Sequence, residues 1–352
     1  MIPLMPLLLF LVCPATSESL TVEQKPSNEV VFRALWQTFD EKYGLFGVKS
    51  VDWDALYLKY LPLANKAQDE DQLFHVCANM LSYLQDKHVW LISNRLGWNC
   101  RIKTPCTLEN LDSAKKAWKS PFSDSLIDRK YLHGERSLYS GEISSGFLPF
   151  EIAYLRISAF PDDVSQVGLA IDKAIKALSG AKAMVVDIRD NRGGSDRGVV
   201  TVSSRFADQR RLFMMSAVRS GRNRGGLATP KDWFLEPAGV TNFHCPVALL
   251  INQDTFSAGE TFALAMRVLP QVKIVGEPTA GVFSDTEDGV LPNGWQFTYS
   301  IGVWRDAKGQ LWEGKGIPPD VAIKTTPTDV ARDVDPVLEW AIEYLKVQTC
   351  NR

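Results

Sequence analysis

The stretch "CPVALLINQDTFSAGETFALAMRVL", Cys245 to Leu269, holds the junction on which the reading of the whole chain turns. Its first part, "CPVALLIN", is an unbroken β-prone apolar run of the kind shown by a strand buried on both faces. Its last part, "AGETFALAMRVL", places Phe262, Met266 and Leu269 at helical spacing. Between them stands Ser257, in or just before the first helical turn, where main-chain N–H groups lack partners and favour negative charge. A serine there is either an ordinary helix cap or a nucleophile, and the junction alone leaves both readings open.

Outward from this junction, strands and helices alternate from Phe147 onward, which predicts a layered α/β domain. "FEIAYLRI" reads as a strand, and "PDDVSQVGLAIDKAIKALSG" as a helix capped by Asp162 or Asp163 and stopped at Gly180. "AMVVDI" is a second buried strand that turns through "RDNRGGSD" into another helical stretch. Downstream come "VKIVG" and then "WQFTYSIGVW", whose alternation predicts one half-exposed strand. Asp335 and Pro336 open a final helix through Leu338, Ile342 and Leu345.

Upstream, Phe32, Leu35, Trp36, Phe39 and Tyr43 describe one apolar helical stripe. Asp52 caps a second helix carrying Leu56 and Tyr60, and a third runs through Leu73, Val76, Cys77, Met80, Leu81 and Leu84. These three make a small bundle over residues 18–92, followed by a connecting region over 93–146 and the α/β core over 147–348. The connecting region is too short, and lacks the glycine pattern, for an inserted peptide-binding PDZ module.

The chain has 352 residues and a formal net charge of -2, without a basic run, so nothing in it predicts nucleic-acid binding. "MIPLMPLLLFLVCPATS" has the apolar length and small-residue end of a signal peptide cleaved near Ser17, although it carries no Lys or Arg. It is too short for a transmembrane helix, and no later run of that type appears. The expected location is therefore secreted or periplasmic. Removing Cys13 leaves five cysteines, an odd number, and the short loop between Cys100 and Cys106 makes them the pair that spacing favours for a disulfide. No Cys or His spacing suggests a metal site, and no cofactor is expected.

Apart from Ser257, four segments carry chemistry, and each has a plainer reading. The paired glycines of "DIRDNRGG" (Asp187–Gly194) form a simple turn or expose N–H groups to an anion. His88, in "LQDKHVWLI", is a solvated boundary residue or a base, with His244 as its rival. "GEPTAG" (Gly276–Gly281) is a turn, and Glu313 in "LWEGKGIPPDV" is a surface carboxylate unless it orients a histidine.

The order "DKH", "DIRDNRGG", "DTFSAGE", "GEPTAG", "GKGIPPD" resembles the serine peptidase family of the C-terminal processing (tail-specific) proteases, the tricorn core and the interphotoreceptor retinoid-binding modules. The resemblance covers most of the chain, from "FRALWQTFDEKY" to the last helix. It implies a ClpP/crotonase-like α/β spiral core preceded by a small N-terminal helical bundle. The tail-specific branch uses a lysine shortly after its "GE.T.GK" turn, where this chain has Val282. The tricorn-like branch uses a histidine after the bundle and a glutamate before the "G..PD" turn, positions matched by His88 and Glu313. This chain is similar to the second branch, with one departure: Lys87 replaces the serine that precedes the tricorn histidine. A lysine there disfavours an imidazolium unless it points to solvent.

The resemblance thus implies a serine endopeptidase acting on a protein or peptide substrate, and the signal-peptide-like start implies that it is secreted. Ser257 is its nucleophile, His88 its base and Glu313 the group that orients the base, directly or through an intervening group. Ala258 and Gly194, with Gly193 as the close alternative, would supply the oxyanion N–H groups. Glu260 is expected to serve the helix rather than the chemistry. The alternative is a non-catalytic protein binding an apolar ligand on the same scaffold. An esterase is weaker still, because no GxSxG elbow surrounds Ser257.

Overall fold

These stripes and runs become the elements of a computed structural model, which describes residues 25–95, 97–101, 122–240 and 242–350. The expected signal peptide and the Cys100–Cys106 pairing fall outside the described residues, while Cys77, Cys245 and Cys350 are free thiols. Three helices come first: α1 (Asn28–Lys42), α2 (Trp53–Lys66) and α3 (Glu70–Ser82). Each starts on a short oxygen-bearing side chain. Ser27 accepts from the Val30 N–H, Asp52 from Ala55 and Asp69 from Gln72, which satisfies donors the helix itself cannot. The stripe of α1 buries Val31, Phe32, Leu35 and Phe39, and Trp36 stacks partly exposed on Trp53 at 6.3 Å.

The bundle does not close on itself. It packs on an antiparallel sheet made by β1 (Trp90–Ser93), β2 (Trp98–Arg101), β11 (Thr286–Val290) and β12 (Gln296–Ser300), in the order β11-β12-β1-β2. The Phe39 ring lies 5.9 Å from Phe297 and 5.8 Å from Tyr299, and Leu291, Trp295 and Val303 join the same core. Truncating a ring buried as Phe39 is costs about 3–5 kcal/mol, so residues from both ends of the chain hold this core together.

The main sheet is seven-stranded. It contains β3 (Ser137–Leu138), β4 (Ile143–Leu148), β5 (Ile152–Ile157), β6 (Ala183–Asp187), β9 (Val247–Ile251), β10 (Val272–Gly276) and β14 (Val321–Ala322), in the order β14-β10-β9-β6-β5-β4-β3. Pairing is parallel from β5 to β14 and antiparallel at β4 and β3. The unbroken apolar runs are explained by burial on both faces. Met184, Val186, Val247, Leu249 and Ile251 face a core with α4 (Val164–Ala177), α5 (Asp196–Ser203) and α6 (Ala258–Arg267). Ala183, Val185, Ala248 and Leu250 face the other way, against α7 (Pro336–Cys350).

Two expectations are corrected. The sheet starts at Ser137, ten residues before the boundary expected at Phe147, because β3 and β4 pair with it. "WQFTYSIGVW" is not one half-exposed strand. At Ile301 the chain changes partner: its N–H bonds the Asp285 carbonyl and its carbonyl accepts from Arg219. The chain then enters β13 (Gly302–Asp306), in a separate sheet with β7 (Arg211–Val218) and β8 (Lys231–Leu235). The alternation within β12 is real, but Thr298 and Ser300 on its polar side are buried (9% and 0% exposed) against a polar site rather than facing water.

A buried ion network pins α7 to the end of the sheet. Arg189 donates to both Asp187 oxygens and, at 2.9 Å, to Asp335, whose carboxylate also caps Leu338 at the start of α7. Burial would push the Asp187 carboxyl up, but Arg189 and Arg156 outweigh it and hold it below the usual range. Removing the guanidinium strands two buried carboxylates. Arg189→Met is expected to lower the unfolding free energy by about 3–5 kcal/mol in urea denaturation; a change within about 0.5 kcal/mol of zero would deny the network any part in stability.

Candidate active site

β6 and β9 are adjacent parallel strands, so the loops after them leave the same edge of the sheet. Buried amides and a hydroxyl tie these loops together. The Asn252 side chain donates to Asp190 at 2.6 Å and accepts from its N–H at 3.0 Å, and the Thr255 hydroxyl donates to the Ile188 carbonyl. Asn191, fully buried, donates from its side chain to Ile157, and its carbonyl accepts the Phe256 N–H at 2.9 Å. The second loop therefore arrives at Ser257 already fixed.

Ser257 has φ 54° and ψ −121°, a region that non-glycine residues avoid at about 1–3 kcal/mol each. The surroundings over-determine it. Its N–H donates to Glu260 Oε2 at 3.2 Å, and its carbonyl accepts from the Glu260 and Thr261 N–H groups. The turn brings Oγ to His88, whose Nε2 lies 3.2 Å away. Ser257 is half-buried and His88 is 7% exposed.

His88 sits between α3 and β1. Its N–H donates to Asp86 Oδ1 at 2.8 Å, its carbonyl accepts from the Thr298 hydroxyl at 2.5 Å, and its ring meets Phe256 edge-on at 5.1 Å. The other Asp86 oxygen accepts from the hydroxyls of Tyr43 and Ser300. Burial, then the Asp86 charge, raises the Tyr43 phenol well above its usual range, which keeps it a donor. The polar side of β12 thus serves the histidine loop.

Glu313 is buried. Its Oε2 accepts from the Phe283 N–H at 2.8 Å and its Oε1 from Lys49 Nζ at 2.6 Å. Burial and the neighbouring Asp86 charge push its carboxyl up to about 7, against the pull of Lys49. Glu260, fully buried, accepts from the Thr279 hydroxyl, from Gly281 and Val282 N–H, and from Ser257 N–H. Burial pushes it up to about 8 even against the donors of Thr279, Val282 and Gly281.

The glycine loop lies against the serine. A Cβ on Gly193, whose φ is 86°, would fall 2.8 Å from Ser257 Cβ, and one on Gly194, at φ 125°, would fall 2.0 Å from the Phe160 carbonyl oxygen. The two N–H groups differ. That of Gly193 donates to the Asn191 side chain at 2.9 Å. Those of Gly194 and Ala258 donate to no protein acceptor among the described residues.

Of the residues singled out from sequence, Ser257 and His88 meet directly, and Glu313 reaches the same turn as Glu260. His244 is exposed and precedes β9, whereas Ser257 comes after it, so five extended residues, roughly 16 Å, separate them. His75 bonds the Asp71 carbonyl on α3, and His133 is exposed. The Lys87 ammonium is part-buried and donates to the Ala280 carbonyl, in the "GEPTAG" turn that Val282 follows where the other branch has a lysine. Sequence reasoning passed over Asn191, Asp86 and Lys49. Asp86 and Asn191 lie inside quoted motifs, whereas Lys49 sits in an unremarkable link between helices. Among the described residues no cluster of three or more His, Cys, Asp or Glu is placed to hold a metal ion, and no helix is long and apolar enough to cross a membrane.

Comparison with known proteins shows which family and fold the chain resembles. Residues 151–323 match Peptidase family S41, and residues 25–82 match the Tricorn protease C1 domain. A CtpA-like serine protease of Staphylococcus aureus is 28% identical over 178 residues, 50% of this chain and 34% of that protein. The chain thus matches about a third of that relative's length. A solved candidate peptidase from Parabacteroides merdae is 28% identical with a TM-score of 0.77, covering 91% of this chain and 97% of that one. The tricorn protease structure, at 15% identity and TM-score 0.59 over 92% of this chain and 37% of its own, shares the fold.

The Glu260 contacts carry a prediction. Glu260→Gln keeps the shape but turns one acceptor into a donor facing donors. Above pH 8, where the parent carboxyl is ionised, it is expected to lower stability by about 1–3 kcal/mol, read as a shifted urea midpoint at unchanged slope. No shift in that midpoint would remove Glu260 from the support of Ser257.

Proposed function

Since the chain belongs to the S41 family of serine peptidases, we propose that it hydrolyses peptide bonds of a protein or peptide substrate with Ser257 as nucleophile and His88 as general base. The observation that carries this reading is the 3.2 Å approach of His88 Nε2 to an Oγ held on a positive-φ turn. His88 takes the hydroxyl proton as Oγ attacks the carbonyl carbon. The same proton then passes from Nε2 to the leaving amine, and water repeats the sequence on the acyl-enzyme.

The negative oxygen that forms on attack needs donors not already spent. The Gly193 N–H is occupied by Asn191, which favours Gly194 together with Ala258, at the first turn of α6 where the helix dipole adds its field. Removing one donor of this type costs about 3–4 kcal/mol of transition-state stabilisation. Glu313 supplies the third role. Its oxygens accept from Lys49 and Phe283, so in this reading it favours the imidazolium by its charge, across space or through an intervening group, rather than by direct hydrogen bonding. The Lys87 ammonium, tied to the Ala280 carbonyl, opposes that charge less than a lysine aimed at the ring would. The apolar "MIPLMPLLLFLVCPATS" supports export of the enzyme as part of the same proposal.

The test compares Ser257→Ala and His88→Ala with the parent in cleavage of an unfolded protein. Each is expected to lose about 10⁴-fold or more in kcat/KM. A fluorophosphonate should label the parent and fail to label Ser257→Ala. Undiminished cleavage in either variant would remove that residue from the mechanism, and a parent that resists labelling while binding an apolar ligand tightly would turn the reading toward a carrier.

A further inference from the structure

Among the described residues, Lys49 is the cation that the N-terminal helices send into the site. It ends a single helical turn, Phe46–Lys49, between α1 and α2. Its Nζ lies 2.6 Å from Glu313 Oε1 and 3.1 Å from the Gln85 carbonyl, and the two side chains are 10% and 2% exposed. A surface ion pair of this length would carry little weight. A pair this buried is different, because loss of one partner leaves the other charge without water or counter-ion.

The groups around Glu313 make the cation necessary. Tyr43 faces it from α1, Asp86 from the His88 loop and Glu260 from α6, and none of these brings positive charge. Lys87 and Lys315 share with Lys49 and Glu313 a cavity of about 830 Å³ between the helices and the core, with Asp52 at the same wall. The Lys87 ammonium is committed to Ala280 and Lys315 is exposed. Among the described residues it is Lys49 whose ammonium pairs with the carboxylate.

We infer that Lys49 is a positioning residue for the reaction proposed above, on which this inference rests: it holds the Glu313 carboxylate in place and ionised, so that the N-terminal helices complete the site. The competing role is purely structural, with Lys49 docking the bundle. The two differ in pH dependence. Burial and Asp86 push Glu313 up to about 7 while Lys49 pulls it down, so removing Lys49 raises it further. A rate that requires ionised Glu313 then loses its acid side first, and regains it as pH rises.

The experiment measures kcat/KM from pH 6 to 9.5 on the full chain, using an unfolded protein substrate. It compares the parent with Lys49→Met, Lys49→Gln, Lys49→Arg, Glu313→Gln and the Lys49→Met/Glu313→Gln pair. The neutral Lys49 variants are expected to move the acid limb up by about one pH unit or more, roughly fivefold in rate at pH 7 and nearly tenfold at pH 6, and to approach the parent near pH 9. Lys49→Arg should keep the limb near its parental position. In the Glu313→Gln background, Lys49→Met should add less than about twofold. Equal loss at every pH, no loss, or losses that multiply in the pair would overturn the inference, and Lys49→Gln carries the same comparison if Lys49→Met does not fold. A parent that fluorophosphonate does not label would remove the Ser257–His88 premise instead. A labelled, active parent with parallel pH profiles would refute only the role of Lys49.

Discussion

Four donors converge on the buried Glu260 carboxylate, and they come from two separated stretches of chain. One is the Ser257 N–H, at the junction of β9 and α6; the others lie between Thr279 and Val282. A buried carboxylate without partners would be expensive, so its bonds hold both stretches together. Ser257 keeps φ 54° because this anchor and the helical N–H groups on its carbonyl grip it from both sides. One residue further, Phe283 N–H holds Glu313, so a single short turn sets the relation between Ser257 and Glu313.

The N-terminal helices belong to this arrangement. Phe39 packs on Phe297 and Tyr299 of β12, while the opposite side of that strand offers Thr298 to the His88 carbonyl and Ser300 to Asp86. One strand thus presents its apolar face to the bundle and its polar face to the histidine loop. Tyr43 on α1 completes the bonds to Asp86. Disturbing the aromatic core would move the strand, and with it His88.

Much of the frame was legible because it rests on local rules. "AMVVD" and "VALLI" are apolar throughout, which is what burial between two cores requires, and they became the central strands. The Asp52 cap and the stripe of α1 arise from spacing within one turn. Legibility failed where meaning depended on a neighbour. The alternation of "WQFTYS" was sound, but period alone does not say whether the polar side meets water or a buried aspartate. Lys87 beside His88 could be read as a repulsive charge or as a solvated one, and the Ala280 carbonyl that it meets lies 193 residues away. Lys49 carries no local signal, since its partner lies 264 residues away.

The sequence by itself determined the α/β alternation, the helix starts, and the residue types able to do serine chemistry, since periodicity and side-chain chemistry act over a few residues. Only the tertiary structure decided which of these residues meet. It brought His88 to Ser257 and left His244 a strand's length from that serine, gave the Gly193 N–H to Asn191 while leaving that of Gly194, and set Lys49 against Glu313. Those outcomes depend on distances across packed elements, and burial is what gives such distances their energetic weight.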